Sequence, residues 1–314
     1  MAIQMDAIES IHIDSDSTFA LAFEAQSRGH EIYNYRPATV TFRAGIVLAP
    51  VQELSVRYVS GEHFVLGPSK VTDLAYFDVI LCRQDPPFDI AYATNTYLLE
   101  LLTPKTLIVN DPAGIRNAPE KLLVTRFAGY MPKTLVSSDR VEITSFKNDC
   151  GALVFKRLYG MAGDSVLHIK ADDDNFEVLL DVWTEHYRQA IVVQEFLPAI
   201  RNGDKRIVMV DGQPAGVFNR VPKQGDFRAN LAAGGAAEAT CLTARDREIC
   251  AAVGPTLSKL GLLFAGLDVV DGYITEINVI SPTGLRAIMA LNGVNIAERI
   301  WDVIQMKCST KVEP

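Results

Sequence analysis

Apolar and polar positions alternate in two rhythms along the first third of the chain. Phe19, Ala20, Ala22 and Phe23 fall on one stripe of a helix that Ser17 would cap and Gly29 would end. HEIYNY (30–35) then reads as a strand. FDVILCR (77–83) and TLIVN (106–110) are short apolar runs flanked by turn residues, the form of buried parallel strands. The helix-like AYATNTYLLELL (91–102) lies between them and completes a β-α-β unit. These elements predict an open α/β domain over residues 1–118.

The pattern changes beyond that point. PEKLLVTRFA (119–128) predicts a helix, and the strand-like GALVFKR (151–157) and SVLHI (165–169) enclose the loop LYGMAGD. An amphipathic segment (175–187) and the strand-like AIVVQEF (190–196) follow. Then come KRIVMV, PAGVFN, a polar Gly-bearing stretch, a helix near 245–260, two strands about Gly272, and a closing helix in NIAERIWDVIQMK. Strands and helices are segregated here, which predicts α+β architecture over 119–314, divided into 119–192 and 193–314.

A length of 314 residues accommodates about two such domains. The net charge of −8 excludes the basic field a nucleic-acid-binding surface needs. No stretch approaches the ~20 apolar residues of a membrane span. The first residues lack the basic and apolar regions of a signal peptide. Cys82, Cys150, Cys241, Cys250 and Cys308 form no CxxC pair and read as reduced thiols in or near the core. A cytoplasmic enzyme is expected.

The most informative segment is LDVVDGYITEINV (267–279). Asp271-Gly272 is a strong turn signal between two β-branched runs. An odd-length loop centred on Gly272 would set Asp268 opposite Glu276, with Asn278 on the same face. Two facing carboxylates repel unless a cation lies between them, and an oxygen-only donor set suits Mg²⁺. The competing reading is a solvated polar face on a hairpin.

Lys156 ends an apolar run and must either snorkel out or meet an anion. Lys121, near a helix start, reads by itself as a solvated residue. The loop Gly160-Met161-Ala162-Gly163 would lay N–H groups over phosphates, or is simply a tight turn. RVPKQGDFRANLAAGGA (220–236) is long for a connection inside a compact domain, as lids are. Gly225, Gly234 and Gly235 would permit hinge motion, and Arg220 and Arg228 would hold anionic groups; a disordered surface loop is the alternative. Arg206, following a Gly203-Asp204 turn, would also face a phosphate.

Taken together, DSDSTFALAFEAQSRGHE, DVILCRQDPPFD, TLIVNDPAGIRNAPEKLL, LPAIRNGDKRIVMVDGQP, NLAAGG, GPTLSKLGLLFAGLDVV and TEINVISPTG resemble the prokaryotic-type glutathione synthetase family, within the ATP-grasp superfamily. The resemblance spans nearly the whole chain. It implies an α/β domain followed by an α+β ATP-grasp domain of two subdomains that hold ATP between two sheets, with a lid over 221–236.

By position, the resemblance implies that Lys121, Lys156, Gly160 and Gly163 contact ATP phosphates. Gln194, Glu195, Phe196 and Leu197 would line the adenine pocket, and Asp204 would sit near the ribose. Arg206 and Arg220 would lie along the phosphates and the acyl phosphate, and Asp268, Glu276 and Asn278 match the family's magnesium ligands (Mn²⁺ is an alternative ion). Arg83, Asp16 and Ser17 resemble parts of the peptide-substrate site, and Arg228, Gly234 and Gly235 belong to the substrate-covering lid.

The implied reaction joins γ-glutamylcysteine to glycine through an acyl phosphate, in a homotetramer. Four features depart from the family pattern: Ala162 in the phosphate loop, Arg157 before it, Ala236 in place of Arg after NLAAGG, and Ala287 in place of an acidic residue after SPTGLR. They motivate two alternatives. One is a ligase with another amine acceptor or γ-glutamyl substrate, the other a nucleotide-binding homologue without ligase activity.

Overall fold

In the computed structural model, residues 1–103, 105–159, 166–186 and 189–311 are described. Parallel strands β1 (Ala2–Met5), β2 (Tyr33–Tyr35), β7 (Val79–Arg83) and β8 (Leu107–Val109) lie in the order β2-β1-β7-β8. β3 (Thr41–Arg43), β4 (Ile46–Val56), β5 (Phe64–Leu66) and β6 (Lys70–Asp73) extend this sheet in antiparallel fashion through β4. Helices α1 (Ser17–Ser27), α2 (Ile90–Glu100) and α3 (Pro112–Asn117) make the connections.

The α1 cap differs from expectation. Asp16, not Ser17, accepts the Phe19 N–H at 2.6 Å, because a carboxylate at that position reaches the third amide of the helix. Ser17 instead accepts from the Leu285 N–H at 3.3 Å.

The second sheet contains β9 (Thr134–Ser137), β10 (Leu153–Arg157), β11 (Val166–Ile169) and β12 (Ile191–Glu195), ordered β11-β10-β12-β9. It is preceded by a short helix, α4 (Glu120–Leu123), and flanked by α5 (Arg140–Cys150) and α6 (Phe176–Asp181). The helix expected over 119–128 stops early and continues as 3₁₀ turns, with non-helical geometry at Phe127. Thr125 Oγ1 donates back to Leu122 O at 2.7 Å, a local bond that competes with the α ladder.

The third sheet, ordered β15-β14-β13-β16-β17, is fully antiparallel: β13 (Asp204–Val210), β14 (Gln213–Val221), β15 (Ala236–Ala239), β16 (Phe264–Val270) and β17 (Tyr273–Asn278). α7 (Ala244–Lys259), α8 (Leu285–Asn292) and α9 (Ile296–Lys311) pack around it. Among the described residues no helix is long and apolar enough to cross a membrane.

The first and third sheets share their cores. One cluster joins Ile80, Ile108 and Ile115 to Ile207, Leu267 and Ile277; another joins Ile3, Leu81 and Val109 to Val208, Phe264 and Trp301. Buried Asn110 bonds the two sheets, donating to Phe264 O (2.7 Å) and Val279 O (2.9 Å) and accepting from Phe264 N (2.8 Å). Close approach is obligatory nearby: a Cβ on Gly114 would lie 2.0 Å from Leu260 O. The second sheet has a separate core of Ile143, Leu153, Phe155, Ile169, Phe176, Leu180, Trp183, Ile191 and Val193. Cys82 and Cys250 are buried as expected, but Cys241 is exposed.

Candidate active site

Register places the charged residues of the third sheet on one face. Arg220 lies opposite Asp204, Arg206 opposite Asp268, Asp268 opposite Glu276, and Gly266 opposite Asn278. Directly opposed residues of antiparallel strands project to the same side. The Asp268–Glu276 pairing was expected from an odd-length loop, but its cause is different. The turn is the two-residue Asp271-Gly272, with φ 50° and 75°, as a type I′ hairpin requires. A plain ladder from that turn would bring Asp268 opposite Thr275. A bulge between Asp268 and Val269 shifts the register by one and brings Glu276 across instead.

Cations already neutralise these carboxylates. Buried Asp268 accepts from Arg206 Nε at 2.6 Å and Nη2 at 3.2 Å, and pairs with Arg220 Nη2 at 2.9 Å. Burial by itself would raise the Asp268 carboxyl, yet the two guanidiniums hold it well below the usual carboxylate range. Glu276 Oε1 pairs with Lys121 Nζ at 2.8 Å. Lys121 is 5% exposed, so the reading of it as a solvated residue does not hold. Burial would lower its ammonium, but Glu276 raises it.

Asp204 pairs with Arg220, and burial pushes its carboxyl up to about 7 despite that partner. Its buried Oδ1 has no hydrogen-bond partner and is left for a ligand to satisfy. Asn278 donates to Gly266 O at 3.3 Å.

This face forms the floor of a cleft between the second and third sheets. Lys121, Lys156, Asp204, Asp268 and Glu276 line it, together with Gln194, Glu195, Phe196 and Leu197. Arg206 and Arg220 stand behind the lining and reach it through Asp268. Lys156 neither snorkels out nor meets a carboxylate. It donates to Gln194 Oε1 at 2.9 Å, and burial lowers its ammonium. Gln194 is fixed in turn by donating to Thr134 Oγ1 at 3.0 Å.

The sequence reading missed several lining residues, among them Val154, Val166, Ile200, Phe227 and Thr275. It also missed Glu120, whose Oε1 accepts from Val279 N and Ile280 N at 3.0 and 3.1 Å. Burial, reinforced by the charge of Glu276, raises this carboxyl to about 7.

Val221 pairs with Ala236, so the connection between the strands is 222–235, one residue shorter at each end than expected. Phe227, Arg228, Ala229 and Asn230 line the cleft. Phe227 packs 5.7 Å from the His168 ring, which itself stacks on Phe196 at 3.9 Å. The exposed Arg228 pairs with Asp226 at 2.9 Å. Gly234 and Gly235 do not line the cleft. A Cβ on Gly235 would lie 2.2 Å from Ala229 O, so this glycine serves a tight fold of the loop. Gly160 and Gly163 lie outside the described residues.

Another cavity opens at the ends of β1 and β7, lined by Asp6, His12, Asp16, Thr18, Arg83 and Asp85 among others. Arg83 is buried and donates to Thr18 Oγ1 at 3.0 Å, while its Nη1 has no partner. Ser281 and Thr283 tie the two cavities together: Ser281 Oγ donates to Arg83 O at 3.4 Å, and Arg206 Nη1 donates to Thr283 O at 3.5 Å.

The donor chemistry fits a hard divalent ion. Asp268, Glu276 and Asn278 supply oxygens from adjacent strands. Among the described residues no group of three or more His, Cys, Asp or Glu side chains gathers at one point. Two carboxylates and an amide, one oxygen each, leave half of an octahedral shell to water and phosphate, as suits Mg²⁺.

Two sheets closing on a cleft with this charged floor define the ATP-grasp ligases, and solved structures agree on the fold. D-cycloserine synthetase DcsG superposes with a TM-score of 0.69 at 14% identity, covering 99% of both chains. ATP-grasp ligase PsnB complexed with minimal precursor gives 0.64 at 17%, covering 98% of both. Residues 1–116 match the family described as "Prokaryotic glutathione synthetase, N-terminal domain", and residues 120–293 match "Prokaryotic glutathione synthetase, ATP-grasp domain".

The glutathione synthetase of Rhodopseudomonas palustris is 52% identical over 98% of each chain. That of Agrobacterium fabrum is 49% identical over 98% of this chain and 96% of its own. The chain belongs to the prokaryotic glutathione synthetase family and is an ATP-dependent carboxylate–amine ligase.

Proposed function

We propose that the chain makes glutathione from γ-glutamylcysteine and glycine, with ATP bound in the cleft between the second and third sheets. The observation that carries this is the opposed pair Asp268 and Glu276, with Asn278 beside them and Lys121, Lys156, Arg206 and Arg220 around them. Asp268, Glu276 and Asn278 would hold Mg²⁺ (or Mn²⁺), which when bound neutralises phosphate charge. Lys121 and Lys156 bind phosphate oxygens, and Asp204 Oδ1 accepts a nucleotide hydroxyl. Gln194, Glu195, Phe196 and Leu197 enclose the base.

Asp204, Asp268 and Glu276 are each paired with a cationic side chain. Lys121, Arg206 and Arg220 are thereby held in place beside the carboxylates, where they would face bound phosphates without reorganising. The γ-glutamylcysteine carboxylate, held from the Arg83 cavity, attacks the γ-phosphorus; the bond from that phosphorus to the bridging oxygen breaks, and ADP leaves. The glycine amine then attacks the acyl phosphate, and phosphate leaves. No protein nucleophile is needed, because positioning and charge stabilisation suffice. The 222–235 loop covers the intermediate and excludes water.

A ligase for another acceptor is the second reading, favoured by exposed Ala236 at the end of the loop. Ala287 does not add to it, since its side chain packs against the apolar cluster containing Trp301. Phosphate release from Mg·ATP decides between them. Release that needs both γ-glutamylcysteine and glycine supports the first reading. Release with a different amine supports the second, and nucleotide binding without release rejects both. Tetrameric association belongs to the same family reading, and light scattering on the purified chain measures it.

A further inference from the structure

We propose that Glu120 is a positioning residue that fixes Lys121 against the metal strand β17 and thereby sets the enzyme's affinity for the divalent ion. The proposal rests on the assignment of Lys121 to phosphate and of Glu276 and Asn278 to the ion. α4 is four residues long, and its N-cap, Pro119, makes no side-chain cap bond. A helix that short has little stability of its own and takes its place from tertiary contacts.

Two consecutive residues supply those contacts on either side of one ligand. Lys121 Nζ meets Glu276 at 2.8 Å, and Glu120 Oε1 accepts from Val279 N and Ile280 N at 3.0 and 3.1 Å. Asn278 lies between the two grips. Side chains one step apart on a helix point about 100° apart, so α4 reaches the strand at two separate points.

The amides that Glu120 holds follow directly after β17, where the sheet ladder ends at Asn278. Without Glu120 they lose their acceptor, and the strand end carrying Asn278 loses its tether to α4. The same strand end leads to Ser281 and Thr283, which contact Arg83 and Arg206. One carboxylate thus registers the phosphate lysine, the metal donors and the connector between the two cavities. Charged acceptors of two backbone N–H groups are among the stronger hydrogen bonds.

The test measures ADP binding by calorimetry against Mg²⁺ concentration in the wild type and in Glu120→Ala, Glu120→Gln and Glu120→Asp. Glu120→Ala is expected to raise the Mg²⁺ needed for half-maximal ADP binding by about tenfold, the worth of one such bond. Glu120→Gln, which keeps a carbonyl acceptor, should stay within about threefold of wild type.

An unchanged Mg²⁺ requirement in Glu120→Ala, or Glu120→Gln as impaired as Glu120→Ala, overturns the proposal. If Glu120→Ala does not fold, the shorter Glu120→Asp must show the rise, and wild-type behaviour there overturns the proposal equally. ADP binding requires no ligation. A wild type that binds Mg·ADP but makes no glutathione strikes the proposed reaction and leaves this inference to its own variants.

Discussion

The two walls of the cleft are built differently. The floor, β13 to β17, shares two apolar clusters with the first sheet and is bonded to it through Asn110. The opposite wall, β9 to β12, stands on its own smaller core around Phe155 and Trp183. The first wall carries Asp268, Glu276 and the arginines; the second carries Lys156 and the strand end at Gln194 and Glu195. A wall with its own core can yield independently of the shared body, so the expected closure of the cleft is a motion of the second sheet against the floor.

The sharpest way to break this comparison is to damage the floor. Asp268→Asn should lower turnover by about 10³-fold or more, since it removes charge from the phosphate end of the site. It also leaves Arg206 and Arg220 buried with one carboxylate fewer, which should cost roughly 3–5 kcal/mol of stability. Steady-state kinetics and urea unfolding read the two effects separately. Normal folding with lost activity would show that the arginines do not depend on Asp268.

Asn110→Ala should destabilise the body by about 3 kcal/mol, because it strands three buried backbone groups. The midpoint reported from the second sheet should shift less than that of the body.

How much of this was legible in the sequence follows the range of the interactions. The β16–β17 hairpin was readable because Asp-Gly fixes a local turn and alternation fixes the face. Its bulge was not, and only that bulge makes Asp268 face Glu276. The pairing of Asp268 with Arg206 and Arg220 depends on registers across three strands, which spacing cannot supply. Glu120 was hidden for the same reason, since its partners lie about 160 residues away. The strands β3 to β6 drew no reading, because Pro50 and a phase change near Glu53 interrupt the alternation of β4. The whole-chain resemblance pointed to these residues as an ATP site, but the pairing of Asp204, Asp268 and Glu276 with Arg206, Arg220 and Lys121 is visible only in the geometry.

Smaller effects sharpen the moving wall. Lys156→Met should raise the KM for ATP about ten- to a hundredfold, matching the loss of a charge-assisted bond worth ~1.5–3 kcal/mol, with stability little changed. An unchanged KM would place the triphosphate elsewhere. Phe227→Ala removes the contact of the loop with His168 and Phe196, worth about 0.5–1.5 kcal/mol. It should raise phosphate release uncoupled from glutathione formation by a few-fold, measured as the ratio of the two products.

The chain's two tryptophans lie one in each part: Trp183 in the core of the second sheet, and Trp301 in the shared body, where its N–H donates to Leu21 O at 2.9 Å. Urea unfolding followed by fluorescence in Trp301→Phe and Trp183→Phe therefore reads each part separately. The Trp183 signal should change at lower urea than the Trp301 signal, and Mg·ADP should bring the two transitions together. Superimposable transitions in the absence of nucleotide would contradict an independently standing wall.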